Sequence, residues 1–234
     1  MKKGLLIWGM LGVLLNTAFA VEQRQFTVKG FYNLPGVINM ETKNTSFAGS
    51  AVVSAESDIS ISGGLGIGIE AVVTKIKENI EIIGGGSMMF QRRGTDFSGT
   101  WKGEQGGYEE SGKTSLEGNI KNAKVDIKSI YAKARYLFTP EKPTSLYVAG
   151  KAAYNMVEVS WPGLEGIKYE NGIGFGFSAG IIYENDFDIE FSIDNITGTA
   201  KHDFYYSDGH NIWKDSLKGD YSLTNMAVSV GYRF

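Results

Sequence analysis

The chain has 234 residues, no cysteine and a formal net charge of −3, which excludes a disulfide framework and a generally basic, nucleic-acid-binding surface. Glycine is abundant (31), proline is scarce (4), aromatic residues make up 12% and the mean hydropathy is −0.14. This composition suits a membrane β-barrel, whose strands are only half apolar, with a soluble β-sandwich as the alternative on composition alone.

The first twenty residues have the pattern of a secretory signal peptide. Two lysines open the chain, an apolar run at residues 4–15 is too short to span a bilayer, and Ala18 and Ala20 frame a small-residue cleavage site. Removing residues 1–20 lowers the basic residues from 23 to 21 against 26 acidic ones, which leaves a charge of −5. Residues 21–234 have a length that fits one barrel domain.

Period-two alternation of apolar residues with small or polar ones predicts about eight strands in the mature chain. They are predicted at Gln25–Tyr32, Ile59–Thr74, Ile80–Gln91, Val125–Phe138, Ser145–Val157, Gly172–Tyr183, Phe187–Ile196 and Tyr221–Phe234. The connections alternate between long and short, with long loops predicted at Asn33–Asp58, Arg92–Lys124, Glu158–Asn171 and Thr197–Gly219. A β-sandwich does not require all long connections to lie at one end. An up-and-down transmembrane barrel does show this arrangement, with short turns on the periplasmic side and long loops on the outside. We therefore predict an all-β fold, a transmembrane antiparallel up-and-down β-barrel.

The last strand has a fully apolar face that ends on an aromatic residue. Met226, Val228, Val230, Tyr232 and Phe234 share this face, and small or polar residues occupy the other. Together with the signal peptide, the alternating strands and the unequal connections, the terminal GYRF resembles the small bacterial outer-membrane barrels of the OmpX, OmpA and opacity-protein group. The resemblance covers the whole mature chain. It implies a place in the bacterial outer membrane, contact with outer-membrane lipid, and a role for Val230, Tyr232 and Phe234 in the signal read by the barrel-assembly machinery.

Charged residues of both signs are predicted to point into the lumen. The five basic and five acidic members of this set are Lys29, Glu70, Glu81, Lys133, Arg135, Lys151, Asp188, Glu190, Asp194 and Arg233. Charges in a narrow lumen must pair or keep water, because a dry, single charge is costly. A balanced set predicts an ion-paired plug, as the similarity to the OmpA barrel also implies, whereas a selective pore would show rings of one sign.

The sequence offers no catalytic, metal-binding or cofactor-binding motif that we would assign. Lipid-modifying barrels of this shape use a His-x-Ser arrangement, but His202 is followed by Asp203 and Phe204. The glycines at 64–68 and 172–176 alternate with large apolar residues and continue as strand, so we interpret them as lumen-lining residues and not as phosphate loops.

The tryptophans of the mature chain lie in three different long connections. Trp101, Trp161 and Trp213, with Tyr205 and Tyr206, look like anchors for a partner. The other reading, that they pack together and cap the barrel mouth, stays open. We predict a non-enzymatic protein with a structural or adhesin-like surface-recognition role toward a host or neighbouring cell surface. A narrow, weakly conducting pore and a lipid-modifying enzyme remain as alternatives.

Overall fold

The computed structural model describes residues 25–47, 51–105, 108–117, 124–160, 167–207 and 212–234. The predicted signal peptide with its cleavage site, and Trp161, lie outside these residues. The described part of the chain contains no helix that could cross a bilayer. Its strands are β1 (Phe26–Asn33), β2 (Gly36–Phe47), β3 (Ala51–Ile61), β4 (Gly64–Lys77), β5 (Ile80–Gln105), β6 (Tyr108–Glu117), β7 (Lys124–Leu137), β8 (Ser145–Ser160), β9 (Ile167–Tyr169), β10 (Gly172–Tyr183), β11 (Phe187–Ser207) and β12 (Ile212–Arg233).

Eight of these strands form a closed antiparallel ring. The order is β1, β4, β5, β7, β8, β10, β11 and β12, and β12 pairs again with β1. At the closing seam Val28 lies opposite Tyr232, and the backbone of Phe234 exchanges hydrogen bonds with that of Phe26 at 2.8 and 3.3 Å. The ring confirms the predicted eight-stranded barrel. Closure removes the free sheet edges, whose backbone groups would be unpaired in hydrocarbon.

The outer face of the ring carries a continuous apolar belt. Along the end of β12 and the residue after it, the belt runs over nine residues, from Met226 to Phe234, and every second side chain is 40–70% exposed. Nine tilted residues rise roughly 23 Å, close to the height of a hydrocarbon core. We call the end of the barrel with the short connections the lower end. Aromatic rings meet edge to face at the lower rim of the belt, where the ring centroid of Tyr232 lies 5.4 Å from that of Phe187 and 5.0 Å from that of Phe234.

The short connections at the lower end are turns, as predicted. Between β10 and β11, Glu184 and Asn185 have positive φ angles of 54° and 64°. Asparagine tolerates this left-handed region better than most residues. The N–H of Asn185 donates to the carbonyl of Pro143 in the neighbouring turn at 2.8 Å, so two turns brace each other.

The described residues of the long connections at the other end are mainly β-structure, which corrects the prediction that these segments are loops. β2 and β3 continue β1 and β4 after interruptions at residues 34–35 and 62–63, and they pair with β12 and β5. β5 extends to pair with β6, β9 pairs with β11, and β11 and β12 stay paired up to Ser207 and Ile212. We name the part of the barrel above the belt the collar; it consists of the described residues within 36–61, 94–117, 158–169 and 197–222.

The polarity of the wall inverts where the belt ends. Along β11 the outward residues are apolar up to Ile193, but Asn195 is the next outward residue and Ile196 faces inward with 3% of its surface exposed. On β12 the same inversion falls between Met226, an apolar residue that faces outward, and Leu223, an apolar residue that faces inward and is 1% exposed. In β11 and β12 the strand period is unchanged, and only the chemistry of the two faces is exchanged. At this level the wall has polar residues outside and apolar residues inside, the arrangement of a β-protein surrounded by water.

Candidate functional site in the lumen

An ion-pair cluster fills the lower lumen, and we name it the ionic floor. It consists of four basic and four acidic side chains, each at most 8% exposed: Lys29, Lys133, Arg135, Arg233, Glu70, Glu81, Asp188 and Glu190. The equal numbers of cations and carboxylates make the floor electrically neutral. These are eight of the ten charges that the sequence predicts for the lumen, and the structure brings them into one contiguous network.

Two lysines and two glutamates form the centre of the floor. Lys29 Nζ lies 3.1 Å from Glu70 Oε2 and 3.0 Å from Glu190 Oε2. Lys133 Nζ lies 2.8 Å from Glu190 Oε2 and also contacts Glu70. Tyr147 adds a neutral donor, since its hydroxyl donates to Glu190 at 2.7 Å. Each carboxylate thus has several donors, the condition under which buried charges are tolerated.

Arginines extend the floor toward the short turns. Arg135 Nη2 donates to Asp188 Oδ2 at 2.9 Å, and its Nη1 lies 3.4 Å from Glu81 Oε2. Arg233 approaches the other oxygen of Glu81 at 3.7 Å. The guanidinium of Arg135 also lies 4.4 Å from the ring centroid of Tyr147, which adds a cation–π contact. Side chains from six strands meet here, so the floor ties the two halves of the ring together.

The remaining predicted lumen pair stands apart from the floor. Lys151 Nζ donates to Asp194 Oδ2 at 2.7 Å, and Lys151 also lies 5.1 Å from the ring of Tyr131. The wall beneath Asp194 is glycine: a Cβ at Gly176 would collide with this carboxylate. A Cβ at Gly174 would likewise collide with Asn155, and one at Gly180 with Tyr147. These close approaches explain the alternating glycines of β10, which line the lumen as the sequence indicates.

Arg92, predicted to begin a loop, lies inside the barrel with 0% of its surface exposed. A bulge between Met89 and Arg92 shifts the register of β5 against β7 and turns Arg92 inward. Its Nε donates to Ser62 O at 2.9 Å, Nη2 to Leu34 O at 2.5 Å and Nη1 to Asn225 Oδ1 at 2.8 Å. Ser62 and Leu34 lie in the two strand interruptions, so one guanidinium joins both interruptions to β12.

Above Arg92 the lumen is closed by an apolar cluster that we name the apolar roof. Its buried members are at most 6% exposed and come from seven strands: Ile38, Ile59, Ile61, Met89, Val125, Ile127, Val157, Ile196, Ala200, Tyr221 and Leu223. Phe31, Met40, Val159 and Tyr169 pack against it. This second closure was missed because its residues were divided between predicted loops and strand ends. One pattern in the sequence could have revealed the apolar roof. Ile196, Leu223 and Val125 are each an even number of residues away from polar lumen residues of the same strand, so they are expected to point inward as well.

A small chamber of about 60 Å³ separates the ionic floor from the apolar roof. Lys29 and Glu190 line its lower side, and Phe31, Met89 and Ile196 line its upper side. The described lumen thus has an ionic closure, a polar chamber and an apolar closure, stacked along the barrel axis.

Four of the five predicted recognition residues lie on strands of the collar, and the fifth, Trp161, is outside the described residues. By backbone register, Trp101 of β5 pairs with Ala55 of β3, and Tyr206 and Tyr205 of β11 pair with Trp213 and Lys214 of β12. At the base of the collar a hydrogen bond from Lys201 lowers the pKa of Glu170. The collar therefore holds these positions on paired strands and not on loops.

No group of three or more acidic or histidine residues within the described residues is arranged to hold a metal ion. His202 lies on β11 by its backbone, opposite Leu217, and His210 lies outside the described residues.

The chain is similar to several solved structures, all at low sequence identity. No family model and no curated protein matches it. The outer membrane protein OprG from Pseudomonas aeruginosa is 12% identical, with a TM-score of 0.46 over 90% of this chain and 95% of that one. Neisserial surface protein A is 15% identical, with a TM-score of 0.39 over 91% of this chain and 100% of that one. The outer membrane protease OmpT from Escherichia coli is 8% identical, with a TM-score of 0.41 over 92% of this chain and 99% of that one. The assignment of the barrel rests on the closed ring of strands.

Proposed function

We propose that the protein is a non-conducting β-barrel of the bacterial outer membrane that holds a rigid collar above the lipid for surface recognition. The observation that carries this proposal is the combination of a lumen closed at two levels with strands that continue, paired, beyond the apolar belt. β5 has 26 residues, β11 has 21 and β12 has 22, whereas about ten suffice to cross a membrane. The surplus length serves no purpose for insertion.

Support for the outer-membrane location comes from the physical form of the barrel. The belt has the height of a hydrocarbon core, the ring has no free edge, and the polar side chains of the membrane part face inward. The export signal predicted for residues 1–20 and the terminal aromatic strand agree with this location.

Support for recognition comes from the stiffness of the collar. Loops held by a rigid scaffold carry binding in many proteins, and here even the arms that reach outward are hydrogen-bonded hairpins. A binding surface that is already ordered loses little conformational entropy when a partner docks. The partner class we propose is a component of a host or neighbouring cell surface. The closed lumen opposes the pore alternative, and no arrangement in the described residues favours an enzyme.

The test removes the outer collar without touching the closures. The predicted loop 92–124 contains Arg92, which is buried in the lumen. The replaced segment must therefore begin further along β5, beyond this residue. Replacing residues 98–115 and 204–215 by tight turns joins pairs that are directly opposed in the hairpins, Phe97 with Leu116 and Asp203 with Ser216. The trimmed barrel is expected to keep its heat-modifiable gel mobility and its surface level but to lose cell binding.

The matched control alters the other end of the barrel, with Glu141→Ala and Lys142→Ala in an exposed turn. Cell binding is compared at equal surface levels, and Trp101→Ala with Trp213→Ala is expected to reproduce much of the loss. Unchanged binding by the trimmed barrel would reject recognition by the collar in favour of an envelope-structural role. High, steady conductance of the wild-type protein in planar bilayers would reject the closed lumen.

A further inference from the structure

Two buried polar atoms in the chamber have no hydrogen-bond partner within the described part of the chain. They are Nδ2 of Asn155, whose residue is 2% exposed, and Oδ1 of Asp194. The other end of each side chain is occupied: Asn155 Oδ1 accepts from Ser129 at 2.6 Å, and Asp194 Oδ2 accepts from Lys151 at 2.7 Å. Both side chains line the chamber. The chamber wall therefore presents one unused amide donor and one unused carboxylate acceptor.

A site with this pair of groups selects a ligand that both donates and accepts hydrogen bonds. The ammonium of Lys151 beside the free oxygen disfavours a metal cation, and the carboxylates of Asp194 and Glu190 disfavour an anion. Serine hydroxyls at positions 87, 192 and 229 line the same space and can serve as either partner. Size excludes organic molecules, because about 60 Å³ has room for roughly four waters.

We propose that the chamber is a hydration site that holds a small cluster of long-lived water molecules between the ionic floor and the apolar roof. Asn155 donates to this cluster and Asp194 accepts from it, so both buried groups are satisfied. The closures on either side make exchange with the outside depend on opening of the barrel. The water is then a structural component of the lumen and not part of a continuous aqueous path.

The first measurement uses the wild-type barrel, uniformly labelled with ¹⁵N and refolded in detergent micelles. Magnetization transfer from water to the side-chain amide of Asn155 is expected to show the sign of water that stays bound for longer than the tumbling time of the particle. The side-chain amide of Asn195, which faces outward on β11 and is exposed, provides the internal control and is expected to show only fast-exchanging water.

The second measurement counts long-lived water by ¹⁷O relaxation dispersion. Ala153→Val places two extra methyl groups in the chamber, which Ala153 lines, and is expected to reduce the long-lived water from about four molecules to about one. Ala152→Val adds the same volume on the lipid-facing side of the same strand and is expected to leave the count unchanged.

The proposal fails if the Asn155 amide of the wild-type barrel shows no long-lived water, a result that does not depend on any variant folding. It also fails if Ala153→Val and Ala152→Val give the same count as the wild type. Native mass spectrometry that finds a bound molecule other than water in the lumen would overturn it as well. None of these outcomes bears on whether the collar binds a partner.

Discussion

Replacing Arg92 by methionine tests the idea that one buried guanidinium joins the interrupted wall of the barrel. Methionine keeps much of the volume of the side chain but none of its donors. The variant leaves three acceptors without this donor, namely the buried Asn225 Oδ1 and the half-buried Ser62 O and Leu34 O. Each is expected to cost about 1–2 kcal/mol, or about 3–6 kcal/mol together.

Part of this loss is offset in the variant. Burying the guanidinium costs hydration that its hydrogen bonds only partly replace, and methionine avoids this cost, which offsets about 1–2 kcal/mol of the loss. The expected net loss in the free energy of unfolding is therefore about 2–4 kcal/mol, which lowers the ratio of folded to unfolded protein by a factor of about 30–1,000. Arg92→Lys keeps the charge but not the forked geometry, and we expect an intermediate loss.

The assay is reversible urea unfolding of the barrel in lipid vesicles, followed by tryptophan fluorescence and by gel mobility without boiling. Arg93→Met is the matched control, because Arg93 is the next residue along β5 and is exposed on the outer face. A loss below 0.5 kcal/mol for Arg92→Met, or an equal loss for both variants, would show that the three hydrogen bonds do not hold the interruptions together.

The other predictions concern the ionic floor, the apolar roof, the turn and the closing strand. Glu190→Gln should cost about 3 kcal/mol because it takes a carboxylate from two buried lysines, whereas Glu158→Gln, in an exposed pair, should cost under ~0.5 kcal/mol by urea unfolding. Ile127→Ala should cost about 2–5 kcal/mol through the cavity that it leaves in the roof, and a loss under 1 kcal/mol would mean that the roof is not packed. Asn185→Val should cost about 1–2 kcal/mol and Asn185→Gly almost nothing, since only the valine opposes the positive φ; equal stability of both would refute this. Deletion of Phe234 should lower the outer-membrane yield at unchanged synthesis, because two backbone hydrogen bonds of the seam are lost, and equal yield would contradict a part in assembly.

The membrane part of the barrel could be predicted from the sequence because alternation there places apolar residues on one face of every ring strand. The same parity places Lys133 and Arg135 in the lumen. The collar could not be predicted in this way, since its strands keep the parity but exchange the polarity of their faces, and outward polar residues such as Asn195 resemble a loop. The position of Arg92 in the lumen could not be predicted, because the bulge before it changes which residues of β5 point inward. A bulge leaves no recognisable pattern in a single sequence. Interruptions such as Leu34–Pro35 likewise end the alternation of β1, so that the residues of β2 are predicted as part of the loop Asn33–Asp58.

The exchange of polarity at the upper edge of the belt also fixes how deep the barrel sits. Sinking by one pair of residues along β12, roughly 5 Å, would draw Thr224 and its counterparts on the other strands into hydrocarbon. Rising by the same amount would lift Met226 and its neighbours into water. Either displacement would place the wrong residues of all eight ring strands in lipid or in water at once. The free energy therefore rises steeply with any change in depth, and the barrel holds its position without a ring of tryptophan anchors. In a bilayer of unmatched thickness we therefore expect the lipid to stretch or thin around the barrel, while the collar keeps its height above the surface.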